Sequence, residues 1–310
     1  MRLSLLVGLL ALVVAAAQVQ IRVDVQLINI GFSVRDAQGK LVSGLHQDDF
    51  EVAEDGVPQK ISFFARSVDV PLNLGLVVDI SGSQGSFIKQ HHKDVRTFLS
   101  EVLGPLDRAF ILCFANHPRL VTEFDGSARR LADALEGYEG VPNKNAYPML
   151  GPLEIRTAGT AFYDAIYYSA VQMMSNVDHG RRSLIVFSDG EDNASAHHMM
   201  DAIEAAQTND VLLFCIRYTD LKDGRLTGRN KYGVSVMGRI ASETGGADFD
   251  AREKSLPEHF RQIGEELRSA YELAYHSANP ERDGTFRKIR VQVKRAGLTV
   301  RAKTGYYARP

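Results

Sequence analysis

Hydrophobic and polar positions follow three different rhythms along this chain, and the changes of rhythm divide it. Over residues 21–64 the period is two, interrupted by turns. Val23, Val25 and Leu27 alternate with polar residues, and the phase then slips by one to Ile30, Phe32 and Val34, as at a β-bulge or strand break. Asp36-Ala-Gln-Gly39 and Asp55-Gly56 are turn signals, the second lying between Phe50-Glu-Val52 and Ile61-Ser-Phe63. This segment is predicted to be antiparallel β.

From Pro71 to about residue 278, short runs that are apolar on both faces alternate with stretches that are apolar every three or four residues. The runs predict strands at 72–78, 109–115, 120–124, 183–187 and 211–216, of the kind that helices cover on both sides. Helix faces are marked by Phe87, Val95, Phe98, Leu99 and Val102, by Leu131, Ala134, Leu135 and Tyr138, and by Phe162, Ala165, Ile166, Ser169, Ala170 and Met173. Ser255-Leu-Pro-Glu258 is a capping box opening another helix. Residues 228–233, rich in Arg, Asn, Lys and Gly, read as an exposed loop. This alternation predicts a doubly wound α/β domain with right-handed crossovers.

After Asn279 period two returns. Ile289, Val291 and Val293 oppose Lys288, Arg290, Gln292 and Lys294, and Arg295-Ala-Gly297 leads into Leu298, Val300 and Ala302. This predicts a hairpin with one buried and one basic face. A lone hairpin is marginal in water, so the N-terminal β segment is its expected partner. The expected division is a leader at 1–17, a β segment at 18–68, an α/β domain at 69–279 and the hairpin at 280–310. The leader reading rests on Arg2, the apolar run 3–14 and Ala15-Ala16-Ala17 before Gln18. That run is short for a bilayer span, so an exported protein without a transmembrane segment in its mature chain is expected, in the periplasm or at the cell surface.

Composition changes little in this picture. The 310 residues are 45% hydrophobic and 24% charged with a formal net charge of -2, an ordinary globular balance with no overall pull toward nucleic acid. Cys113 and Cys215 both lie inside strand-like runs and read as buried free thiols. The excess of Lys and Arg after residue 281 reads as the wet face of the terminal strands.

Candidate chemistry gathers at strand ends. The apolar run of residues 72–78 stops at Asp79 and continues Asp79-x-Ser81-x-Ser83. Gly159-Thr160 opens a helix, and Phe187-Ser-Asp189-Gly190 follows another strand. In an α/β sheet these positions share the rim where ligands bind. Two carboxylates and three hydroxyls form an all-oxygen set that suits Mg2+ or Mn2+ and not zinc, which prefers imidazole or thiolate. The weak hydroxyl donors leave such an ion able to take a further anionic oxygen. His91-His92 and His197-His198 lie in no zinc-binding frame and read as solvated helix faces.

The combination Asp-x-Ser-x-Ser, Gly-Thr and Ser-Asp-Gly resembles the von Willebrand factor type A domain with its metal-ion-dependent adhesion site. The resemblance covers about residues 71–278. The flanks, Asp49-Phe-Glu-Val-Ala-Glu-Asp-Gly-Val-Pro-Gln, Phe286-Arg-Lys-Ile-Arg-Val and Lys303-Thr-Gly-Tyr-Tyr-Ala, resemble exported bacterial proteins of the VWFA-related acidobacterial type. The resemblance implies a mainly parallel six-stranded sheet ordered 3-2-1-4-5-6, which puts two strands between those of the two cysteines. It also implies metal ligation by Asp79, Ser81, Ser83, Thr160 and Asp189. Gln84 stands where Met is frequent, and Ala158 replaces a Gly.

The expected function is a non-enzymatic binding or adhesion module that holds a carboxylate of a protein partner through the cation. Two alternatives stay open: a Mg2+-dependent hydrolase with Glu191 or Asp192 as base, and a structural envelope module with a vestigial site. Nucleophile-elbow, phosphate-loop and dinucleotide-binding signatures are absent.

Overall fold

The structure, a computed structural model, describes residues 27–67, 70–152, 156–253 and 256–309. The leader, Val23, Val25 and the capping Ser255 lie outside these residues. In chain order the first strands are β1 (Leu27–Arg35), β2 (Phe50–Glu54), β3 (Val57–Gln59) and β4 (Ile61–Ser67). An α/β run follows: β5 (Leu72–Asp79), α1 (Ile88–Val102), β6 (Arg108–Phe114), β7 (Pro118–Asp125), α2 (Ala128–Glu139), α3 (Phe162–Tyr168), β8 (Arg181–Ser188), α4 (Met199–Thr208), β9 (Val211–Arg217), α5 (Gly228–Thr244), β10 (Ala247–Asp250) and α6 (Leu256–Arg268). The chain ends in β11 (Ala270–His276), β12 (Phe286–Val293), β13 (Thr299–Ala302) and β14 (Gly305–Tyr307).

The central sheet has six strands in the order β10-β9-β8-β5-β6-β7, with β7 alone antiparallel. Numbered from β5, that is the expected 3-2-1-4-5-6. Every residue of β5 is buried, because helices cover both faces and leave no wet side to alternate toward. One core, including Val77, Phe110, Phe162, Val186 and Met237, fills the face under α3, α4 and α5. A second, including Val78, Phe98, Leu135, Phe187 and Phe260, fills the face under α1, α2 and α6. Cys113 on β6 and Cys215 on β9 are free and buried, and burial pushes both thiols far up from their usual range. Neither should react with a thiol reagent before unfolding, so reductant should leave the thermal midpoint unchanged in a melting scan.

Two four-stranded antiparallel sheets form the other layer, β13-β1-β11-β4 and β14-β12-β2-β3. Their inner faces share one core in which Phe32, Phe50, Phe64 and Tyr271 lie with ring centroids 5.0–5.8 Å apart. Glu54 is buried in it, accepting from Tyr275 Oη at 2.7 Å, Tyr306 Oη at 3.0 Å and Ser277 Oγ at 2.5 Å. Buried Glu266 of α6 ties the layers together by accepting from Ser33, Arg35 and Arg301.

Several expectations need correction. The C-terminal segment is not a hairpin: β12 pairs with β2 and β14, whereas β13 pairs with β1 in the other sheet. Alternation identified the buried face of each strand, but backbone pairing belongs to the partner. β11 lies inside the 69–279 span expected to be α/β, yet it is a central strand of the outer layer, between β1 and β4. β1 runs from Leu27 without a slip, Leu27 being exposed and Ile28, Ile30, Phe32 and Val34 buried. Residues 228–233 are the opening turns of α5, capped by Thr227 Oγ1 accepting from Asn230 N at 3.1 Å.

Candidate metal centre

Asp79 ends β5, beyond which the chain makes a single tight turn through Gly82–Gln84 before α1. The Asp79 carboxylate, fully buried, accepts from Ser81 N at 2.9 Å on Oδ1 and from Ser188 Oγ at 2.6 Å on Oδ2. The hydroxyls of Ser81 and Ser83 lie 3.1 Å apart. Asp189, 3% exposed, follows directly on β8 and accepts from Glu191 N at 3.0 Å and from Gln84 Nε2 at 2.8 Å. The ends of adjacent parallel strands β5 and β8 therefore bring Asp79, Ser81, Ser83 and Asp189 together.

Thr160 reaches the same rim by a different route. Gly159 turns the chain at φ +112°, where a Cβ would come within 2.7 Å of Ala194 and Asn193. Thr160 N then donates to Asn193 Oδ1 at 2.7 Å, and its carbonyl accepts from Asn193 N and Ala194 N at 3.0 and 3.1 Å. Ala161 N is fixed on Ala115 O, at the end of β6, at 2.7 Å. The backbone of Thr160 is thus committed to the loop after β8. Its hydroxyl makes no hydrogen bond among the described residues.

Burial pushes the Asp79 carboxyl up to about 7; the charge of Asp189 adds to this, while hydrogen bonds from Ser188 and Ser81 oppose it. Glu191 is also raised by burial and by Asp189, and it pairs with Arg229 at 2.5 Å. Asp192 accepts from Phe162 N at 2.9 Å and Ser195 Oγ at 2.5 Å, so it caps α3. The two carboxylates considered as possible bases are therefore already engaged. The rim fits a hard cation by its donor set, buried carboxylates of Asp79 and Asp189 beside hydroxyls, although no group of three or more His, Cys, Asp or Glu is assembled among the described residues.

His91 and His197 depart from the expected solvated faces, whereas His198 is exposed. His91 is buried, lies edge-on to Tyr218 with centroids 4.3 Å apart, and has neither ring nitrogen in a hydrogen bond of ordinary geometry. Burial, with the neighbouring His92 charge, lowers it from 6.5 to about 3, against a slight opposing pull from the Asp79 backbone. Because the folded state resists protonation, His91 costs no stability above pH 6.5 and costs progressively more as pH falls toward 3. His91→Leu should flatten that limb of stability against pH, measured by urea unfolding. His197 stacks on Tyr167 at 3.7 Å and meets Asp164 at 2.7 Å, holding the loop after β8 onto α3.

Sequence reasoning missed Ser188, Gln84 and Asn193, which position the candidate ligands. It also missed Gly233. A Cβ there would lie 2.1 Å from Asp189 O, so α5 packs its glycine directly on the backbone that carries Asp189.

No family model matches the chain, and no curated protein matches it in sequence. Solved structures do match. Proximal thread matrix protein 1 from the mussel byssus aligns over 69% of this chain and 51% of its own, at 14% identity and a TM-score of 0.50. A second crystal of that protein, described as having a zinc-occupied MIDAS motif, aligns at 13% identity over 69% of this chain and 49% of its own, with a TM-score of 0.46. The conserved hypothetical protein BatB from Bacteroides thetaiotaomicron aligns over 63% of this chain and 97% of its own, at 16% identity and a TM-score of 0.47. The matched region thus spans about half of the mussel protein. At such identities the likeness concerns the fold alone, and it agrees with the doubly wound α/β layer and its strand order.

Proposed function

We propose that this protein is an exported, non-enzymatic binding module that captures a carboxylate of a protein partner through Mg2+ or Mn2+. One observation carries the reading. The ends of adjacent strands β5 and β8 hold buried Asp79 and Asp189 beside Ser81 and Ser83, the Thr160 backbone is bonded to the loop after β8, and both nearby acids are already paired. Asp79 and Asp189 would hold the ion directly or through water, and Ser81, Ser83 and Thr160 would add neutral oxygens. The ion would supply positive charge for an incoming acidic oxygen. The protein excludes bulk water from Asp79 and orients both carboxylates through Ser188, Ser81 and Gln84.

Export is inferred from the leader-like N-terminus and from the flanks that resemble the acidobacterial type; among the described residues no helix is long and apolar enough to cross a membrane. Calorimetric titration with Mg2+ and Mn2+, joined to capture from an envelope fraction with and without EDTA, tests the reading. Cation binding and EDTA-sensitive capture are expected. A protein that takes up neither ion would overturn it.

A further inference from the structure

Resting on that reading, the geometry points to Gln84 as a positioning residue of the cation site, holding Asp189 with one end of its amide and a cation-bound water with the other. The side chain is 1% exposed and wedged between the ends of three strands. Its Nε2 donates to Asp189 Oδ2 at 2.8 Å and to Tyr218 O at 3.4 Å. Both contacts are acceptors, so the amide cannot be turned over without losing them. Its Oε1 is buried and has no partner.

A buried carbonyl oxygen left without a donor is costly, and such atoms are rare in native structures. No donor among the described residues reaches it: Asp79 and Asp189 are engaged as acceptors, and the hydroxyls of Ser81 and Ser83 bond to one another. Mg2+ and Mn2+ keep several of their waters when bound by few charged ligands, and those waters are polarised donors. A cation at this rim brings the donor that Oε1 lacks. The same amide fixes the orientation of Asp189, as outer-shell groups do for metal-bound carboxylates.

Two amide variants of the full chain test this. Gln84→Met removes both contacts, and Gln84→Asn shortens the amide so that it no longer reaches Asp189. Each is titrated with Mg2+ by calorimetry, and Mn2+-bound water exchange is followed by proton relaxation. Both should weaken Mg2+ binding by about 10–100-fold. Water exchange should be faster, an effect that a merely structural role would not produce. Wild-type affinity and water exchange in both variants would overturn the role of Gln84 and leave the cation site standing. Absence of cation binding in the wild type would instead overturn the reading on which the role rests.

Discussion

Asp79→Asn should abolish measurable Mg2+ binding while making the metal-free protein more stable. The amide keeps the shape and can still accept from Ser81 N, but it removes one of the two charges that offset the ion. The stability effect has the opposite sign. The folded pKa of about 7 lies above the ordinary 3.8, so ionising Asp79 penalises the folded state increasingly as pH rises from 3.8 through 7. An amide escapes that penalty. In EDTA at pH 8 the variant should gain on the order of 2 kcal/mol, read from urea unfolding, since buried-carboxylate shifts convert at about 1.4 kcal/mol per unit before relaxation. Wild-type protein should recover the same stability when Mg2+ is added. A variant that loses stability in EDTA would show that Asp79 serves the fold and not an ion.

Gly233→Ala should damage the site from outside it. The added methyl would sit 2.1 Å from Asp189 O and 3.3 Å from Asp189 C, both backbone atoms unable to swing aside. Overpacking of this kind costs about 1–3 kcal/mol. It should also weaken Mg2+ binding about tenfold or more, because the displaced backbone carries Asp189. Gly228→Ala is the control, since a Cβ there meets nothing within 4 Å and the residue lies in the same helix. It should leave affinity unchanged and stability equal or slightly higher. Equal affinities for the two variants would sink the argument.

The α/β layer was legible because its strands announce themselves twice, by unbroken apolar runs and by the polar residues that stop them. Asp79 and Ser188 are each the last residue of a strand. Thr160 was legible from Gly159-Thr160 at the opening of an amphipathic helix. The supporting contacts were not legible. Nothing about Gln84 in the sequence says that its amide meets a residue 105 positions away. The first turns of α5 were misread because their inward contact is a glycine against backbone, so the apolar stripe starts only at Val236. β10 was missed because it is a four-residue edge strand with no fully buried position. The terminal hairpin failed because alternation reports a face and is silent about which neighbour supplies the hydrogen bonds.

The outer layer also sets a timetable. β1 is among the first elements to be made, yet its two neighbours, β11 and β13, are among the last, and Ser33 meets Glu266 across 233 positions. Contacts of such separation form late, whereas the β5–β10 sheet is built from nearer segments. The candidate ligands all belong to that earlier sheet and its loops. During synthesis the cation-binding rim can therefore be complete while β1 is still an unpaired edge, the state most exposed to wrong association. Closure of the sandwich by β11 to β14 is then the maturation step, and a chain cut before β11 should bind cation yet aggregate.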